Sequence, residues 1–211
     1  MMTGMTRQRQ PMTIVVTLPC FISDEARRIT DFLDSGKADL VHIRKPHARE
    51  ADVRQLIKSI PPCFRNRLVL HDFFGLAEEM SLYGIHLNSR NPFPPPGWHG
   101  SVSRSCHSID EVALYKPSCD YVSLSPIFDS ISKQGYAAAF TKEELADASR
   151  RGVIDESVIA LGGVTPKHLG ELARIGFGGG AFLGHVWNYA RGESFDSDLD
   201  TIFDGYLKPK H

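Results

Sequence analysis

Short apolar runs and amphipathic stretches alternate along the chain. Residues 13–18 form a β-branched run that reads as a strand. A helix follows, with Ser23 as its cap, Ala26, Ile29, Phe32 and Leu33 inward, and Gly36 as its stop. Residues 39–44 read as the next strand. Val53, Leu56, Ile57 and Ile60 then make a helical stripe that Pro61 and Pro62 close. Leu68–Leu70 is a strand, residues 76–80 a helix, and Gly84–Leu87 a short strand. Residues 91–97 hold four prolines, which excludes a helix and predicts a loop in its place.

The second half repeats the pattern. Residues 101–105 read as a strand, and Ser108 with Glu111 forms a capping box that opens a helix through Val112 and Leu114. Tyr121–Leu124 is a strand, followed by a long polar loop over 125–139. Thr141 and Glu144 form a second capping box, with Leu145 and Ala148 on the buried side. Residues 158–161 read as a strand that Gly162 and Gly163 stop. Thr165 and Pro166 suit a helix start, Leu169, Leu172 and Ala173 form its stripe, and Gly176 ends it. A last apolar run, 181–183, follows three glycines and ends at Gly184. Val186 with Trp187, and Ile202 with Phe203, suggest closing helices.

This gives about eight βα units, the pattern of a single-domain (β/α)8 TIM barrel. An open doubly wound sheet is the alternative, since strand order is not readable from sequence. The expected division is a flexible leader over 1–11 and the barrel over 12–207.

Composition narrows the function. The chain has 211 residues, 42% hydrophobic and 23% charged, with a net charge of −1. That balance points away from nucleic-acid and membrane partners, so any anion site must be local. The four cysteines (Cys20, Cys63, Cys106 and Cys119) lack C-x-x-C spacing and read as reduced thiols of a cytoplasmic protein. The leader has no apolar core of a signal peptide, and no run approaches the ~20 residues of a membrane span. A homo-oligomer is left open.

In a barrel, chemistry sits where strands end. The polar residues at those positions are His42 and Arg44, His71 and Asp72, His86 with Asn88 and Asn91, Ser103 to Ser105 with His107, and then Ser130, Ser132 and Lys133. Arg44 and Lys133 suit a phosphate or diphosphate, or else a surface ion pair. Ser130 and Ser132 could point together beside Lys133 or only bond their own backbone. Asp72 is a candidate Mg2+ ligand, or the N-cap of a helix starting at Phe73. His107 precedes a helix N-terminus, which favours a neutral, proton-moving ring, or it bonds a neighbouring strand. His42, His71, His86 and His107 raise a zinc site, but no pair has H-x-H spacing. The turns at Gly162, Gly163, Gly180 and Gly184 suit a phosphate on backbone N–H groups.

With these positions laid out, the chain resembles the thiamine phosphate synthase and thiazole tautomerase superfamily from about Ile14 to Trp187. The resemblance lies in His42-Ile-Arg44, His71-Asp72, Gly84-Ile-His-Leu87, Ser103-Arg-Ser-Cys-His-Ser108, and the run from Asp120 through Pro126-Ile-Phe128 to Ser130-Ile-Ser-Lys133. It continues in Leu161-Gly-Gly-Val164 and the glycines from Gly178 to Gly184. It implies condensation of hydroxymethylpyrimidine diphosphate with thiazole phosphate, releasing pyrophosphate, with Mg2+ assisting. It implies that Arg44, Ser130, Ser132 and Lys133 hold the diphosphate, and that Asp72 holds the metal. His42, His71, His86 and Ser105 would line the pyrimidine pocket. Gly162, Gly163, Gly180 and Gly184 would take the thiazole phosphate.

Two positions depart from the synthase pattern. A lysine is expected two residues after Arg44, where Pro46 stands beside Lys45, and a second acidic metal ligand is expected where Asn91 stands. The His107 motif instead resembles that of the tautomerases, which move a proton on a carboxylated thiazole phosphate without metal. The expectation is a synthase. A tautomerase acting through His107 is the alternative, as is a non-catalytic phosphate-binding relative.

Overall fold

Successive strand residues face opposite sides, and in this chain both sides are covered. The strands are β1 (Met12–Val16), β2 (Leu40–Ile43), β3 (Leu68–Leu70), β4 (Gly84–Leu87), β5 (Ser101–Cys106), β6 (Tyr121–Leu124), β7 (Val158–Ala160) and β8 (Gly179–Phe182). Each pairs in parallel with the next, and β8 returns to β1 through Met12↔Gly179 and Ile14↔Ala181. The sheet is therefore a closed barrel, not the open alternative. The computed structural model describes residues 10–129 and 139–189.

Around the barrel lie α1 (Glu25–Asp34), α2 (Glu50–Lys58), α3 (Phe74–Glu79), α4 (Ile109–Tyr115), α5 (Lys142–Arg150), α6 (Leu169–Ile175) and α7 (Gly184–Tyr189). No helix lies between β4 and β5, as the prolines predict. No described helix is long and apolar enough to cross a membrane.

Two apolar layers result. Val15, Val41, Ile85, Val122 and Phe182 belong to the layer shared with the helices. Ile14, Leu40, Val69, Tyr121, Ile159 and Ala181 pack together inside the barrel. Two residues beyond Leu40, Val69 and Gly84, toward the strand ends, stand His42, His71 and His86. The two-residue strand repeat thus puts all three rings on the inner face, above the apolar plug.

The helix caps follow the sequence in part. Thr141 and Glu144 form the expected reciprocal capping box, and Gly176 ends α6 with a φ of 117°. Thr141→Ala should cost about 1 kcal/mol in a urea-unfolding measurement. An unchanged midpoint would mean that the cap contributes nothing. Ser23 does not cap α1. Asp24 takes that place with a φ of 57° and no side-chain cap bond. A capping side chain needs an extended backbone to reach the first-turn amides, and the left-handed turn denies it that.

Candidate active site

A cavity of about 560 Å3 opens at the C-terminal ends of the strands. Ile14, Val16, Tyr121, Ile159 and Ala181 form its apolar floor. Arg44, Arg90, Arg104, His107 and Glu111 contribute along one arc, from β2 to α4. Gly162, Gly163, Leu183 and Gly184 line the arc after β7 and β8.

The histidines form a hydrogen-bonded cluster in this cavity. Tyr121 Oη lies 2.7 Å from His42 Nε2, and His42 Nδ1 lies 3.0 Å from His71 Nε2. Burial raises the Tyr121 pKa and, reinforced by His86, holds His42 well below the ordinary imidazole value. The hydroxyl therefore donates to His42, and His42 donates to His71. Ser103 donates to the carbonyl of Ile85 at 3.1 Å, so its oxygen accepts from His86 Nδ1 at 2.9 Å. His86 Nε2 is left to accept from Ser105 Oγ at 2.8 Å. Burial, with Arg104 and Arg44 nearby, pulls His86 down to about 3. His71 is also held well below its usual value, first by burial and then by His86, His42 and the two arginines Arg44 and Arg90. All three rings are neutral at pH 7.

A zinc site would use the same rings, since each offers a nitrogen within 4.8 Å of the others. The His71 and His86 rings, however, stack at 4.2 Å with only 27° between their planes. Their lone pairs run side by side rather than converging on a tetrahedral ion. The arrangement suits recognition of a flat polar ring better. His107 stands apart from this cluster.

The cations converge from three strands. Arg44 follows β2; its backbone N–H donates to Thr17 Oγ1 at 2.9 Å. Arg104, on β5, donates to Pro92 O at 2.9 Å and lies 3.7 Å above the Tyr115 ring. Arg90, in the loop after β4, meets Asp72 at 3.2 and 3.3 Å. Asn91 Nδ2 donates to Asp72 Oδ1 at 2.9 Å. Asp72 is not part of the cavity wall, whereas Arg90 is. Nor does Asp72 cap α3, because Phe73 occupies that position with a φ of 56°. The carboxylate serves as an acceptor for two side chains.

That donor set does not fit a magnesium cage. Magnesium is held by one or two carboxylates with substrate phosphates and water. Here Asp72 is engaged by Arg90 and Asn91. Glu111, the carboxylate in the cavity wall, accepts from the backbone N–H of His107 at 2.6 Å. Lys45 is no substitute for the expected lysine. Its Nζ bonds Glu25 Oε1 at 2.6 Å and the carbonyls of Leu18 and Cys20, with 1% of the side chain exposed. It ties down the loop between β1 and α1.

His107 lines the cavity, with Nδ1 3.3 Å from the carbonyl and the hydroxyl of Ser125. Ser108 caps α4 by accepting from Glu111 N at 3.1 Å, while the Glu111 carboxylate reaches one residue further back than a capping box requires. Gly162 and Gly163 have φ values of 87° and 65°. A side chain at Gly162 would strike Pro126, and one at Gly163 the carbonyls of Phe128 and Asp129. Only glycine fits this left-handed turn against the 126–129 segment, and the turn borders the cavity. Gly184 also lines the cavity. Gly180 does not: it lies inside β8, its Cβ direction pointing to Val164 and Leu169. The run of glycines serves β8 before it serves a phosphate. Ser105 lines the cavity, whereas Ser130, Ser132 and Lys133 lie outside the described residues. Arg90, Glu111 and His185 are cavity residues that the strand-end reading missed; Arg90 was within reach of it, three residues after β4.

Residues 13–186 match the family model described as thiamine monophosphate synthase. A thiamine-phosphate synthase of Salinibacter ruber is 23% identical over 185 residues, covering 82% of this chain and 79% of that protein. The crystal structure of thiamine phosphate pyrophosphorylase from Bacteroides thetaiotaomicron aligns with a TM-score of 0.81 at 38% identity, covering 91% of this chain and 93% of that one. Thiamine phosphate pyrophosphorylase from Pyrococcus furiosus shares the fold, with a TM-score of 0.70 at 17% identity over 92% of this chain and 95% of that one. With nearly the whole barrel matched, and a relative of known structure this similar, the chain belongs to the thiamine monophosphate synthase family.

Proposed function

We propose that the protein condenses hydroxymethylpyrimidine diphosphate with thiazole phosphate, giving thiamine phosphate and pyrophosphate. Family members act on small phosphorylated pyrimidine and thiazole substrates. The observation that carries the reading is one cavity with three guanidiniums, a layer of neutral histidines over an apolar floor, and a glycine turn in its wall. The pyrimidine ring lies on His42, His71, His86 and Ser105, where neutral donors and acceptors pair with its nitrogens. Arg44 and its neighbours hold the diphosphate, and the Gly162–Gly163 turn with Gly184 takes the thiazole phosphate. Ser130, Ser132 and Lys133 belong to the same diphosphate grip by resemblance.

The C–O bond between the pyrimidine methylene and the diphosphate breaks, and its electron pair leaves on the diphosphate oxygen. The thiazole nitrogen gives its lone pair to the methylene carbon, forming the C–N bond and a thiazolium. No proton moves in this step. The protein lowers the barrier by stabilising negative charge as it builds on the leaving group. Members of the family generally depend on magnesium. The donors around Asp72 do not fit such an ion here, and no step is routed through one. A biosynthetic enzyme of this kind works in the cytoplasm.

The tautomerase alternative is favoured by one feature, the place of His107 in the cavity wall beside Ser125. Paired incubations separate the readings. The expected result is thiamine phosphate from the pyrimidine and thiazole substrates, and no shift of the carboxythiazole phosphate tautomers. Tautomerisation alone would reverse the assignment, and ligand binding without either turnover would point to the regulatory relative.

A further inference from the structure

The charges around the cavity raise a question about how the leaving group is neutralised. Among the described wall residues stand Arg44, Arg90 and Arg104, against the single carboxylate of Glu111. The carboxylate best placed to attract a metal, Asp72, lies behind Arg90 rather than in the wall. Its Oδ1 accepts from Arg90 Nε, Arg90 Nη2 and Asn91 Nδ2, and its Oδ2 accepts from Arg90 Nη2. Asn91 also donates to the carbonyl of His71 at 3.1 Å, and Asn88 Oδ1 accepts from the backbone N–H of Arg90 at 3.0 Å. Both ends of Arg90 are therefore held, its backbone by Asn88 and its guanidinium by Asp72.

We propose that Arg90, aimed over the cavity by Asp72, joins Arg44 and Arg104 to hold the substrate diphosphate with guanidinium charge where a divalent cation would otherwise be needed. The proposal rests on the synthase reading for the identity of its substrate, but its binding test does not. A guanidinium offers planar paired donors to phosphate oxygens and keeps its charge at any working pH. A metal at Asp72 would have to displace Arg90 and enter between like charges. The exposed Arg90–Asp72 pair is itself weak, so displacement alone is no barrier. The balance of charge decides. The wall already carries an excess of positive groups matched to a multiply charged anion, so a dication arriving on the diphosphate would add charge where the guanidiniums already neutralise it. Asp72 is thus a positioning residue, and Arg90 touches the ligand.

The test is calorimetric titration of the full-length protein with inorganic pyrophosphate, in EDTA and in magnesium. Binding in EDTA should lie within ~3-fold of that in magnesium, and Arg90→Ala should weaken it ~10–100-fold in EDTA. Asp72→Asn keeps the shape and removes the charge. It should weaken binding in wild type but add nothing in the Arg90→Ala background, since its role runs through that arginine. Arg90→Lys should restore part of the loss, which a merely structural role for Arg90 does not predict. Unfolding midpoints confirm that each variant is folded. Three results would overturn the proposal: pyrophosphate binding only with magnesium, Asp72→Asn abolishing binding equally with and without Arg90, or no pyrophosphate binding in either buffer. Failure of the synthase reading would appear instead as absence of thiamine phosphate while metal-free pyrophosphate binding persists.

Discussion

At pH 5.5 the protein is expected to be about 4 kcal/mol less stable to urea than at pH 8. The cause is the neutral cluster of His42, His71 and His86. Burial depresses all three, His86 to about 3. In the unfolded chain each imidazole binds a proton near pH 6.5. As the pH falls below that value, the unfolded state gains protons that the folded state refuses. The stability is fully present above pH 6.5 and drains away toward the folded-state pKa values. One such group costs about 1.4 kcal/mol by pH 5.5, and three together give the expected drop. His71→Asn should remove about a third of that slope, whatever it does to the absolute midpoint. Equal stability at the two pH values would mean that the cluster takes up protons in the fold, and the tautomers argued from Tyr121 and Ser103 would fall with it.

The second large effect is on turnover. Arg44→Ala should lower kcat/KM for the diphosphate substrate ~100–1,000-fold, the usual consequence of removing one charge-stabilising donor. Arg44 is half-buried and its backbone is fixed by Thr17, while no described residue hydrogen-bonds its guanidinium. Burial and Arg90 both lower its pKa, so an arriving anion relieves a cost the fold already carries. Arg44→Lys keeps the charge but loses the planar fork, and an intermediate loss of ~10-fold is expected. Steady-state kinetics on the two variants decide the matter. Unchanged kcat/KM in Arg44→Ala would remove the arginine from the site.

Much of the barrel was legible because each element announces itself locally. Gly84–Leu87 and Tyr121–Leu124 read as strands with the observed bounds, being short apolar runs between turn residues. Closure was expected from the count of βα units alone, and the barrel is closed, but no local feature of the sequence shows it. It depends on β8 meeting β1, a contact more than 160 residues apart in sequence. The period-two alternation carried His42, His71 and His86 to one level, although no spacing in the sequence showed that their rings would bond and stack. Arg90 was passed over although Asn88 and Asn91 on either side of it were named, because in that loop side-chain direction has no period that would single it out. Asp72 looked like a metal ligand or a cap, since both roles suit a carboxylate at a strand end. Only the fold shows two donors already on it. Lys45 and Glu25 lie far enough apart in sequence that their pairing needed the β1–α1 loop to fold back.

Product stoichiometry tests the synthase assignment most directly. The protein is mixed with the pyrimidine diphosphate and thiazole phosphate, and thiamine phosphate and pyrophosphate are counted over time. The two should appear in equal amounts, and neither should appear when thiazole phosphate is withheld. Pyrophosphate released without thiamine phosphate, or no consumption of either substrate, would contradict the assignment.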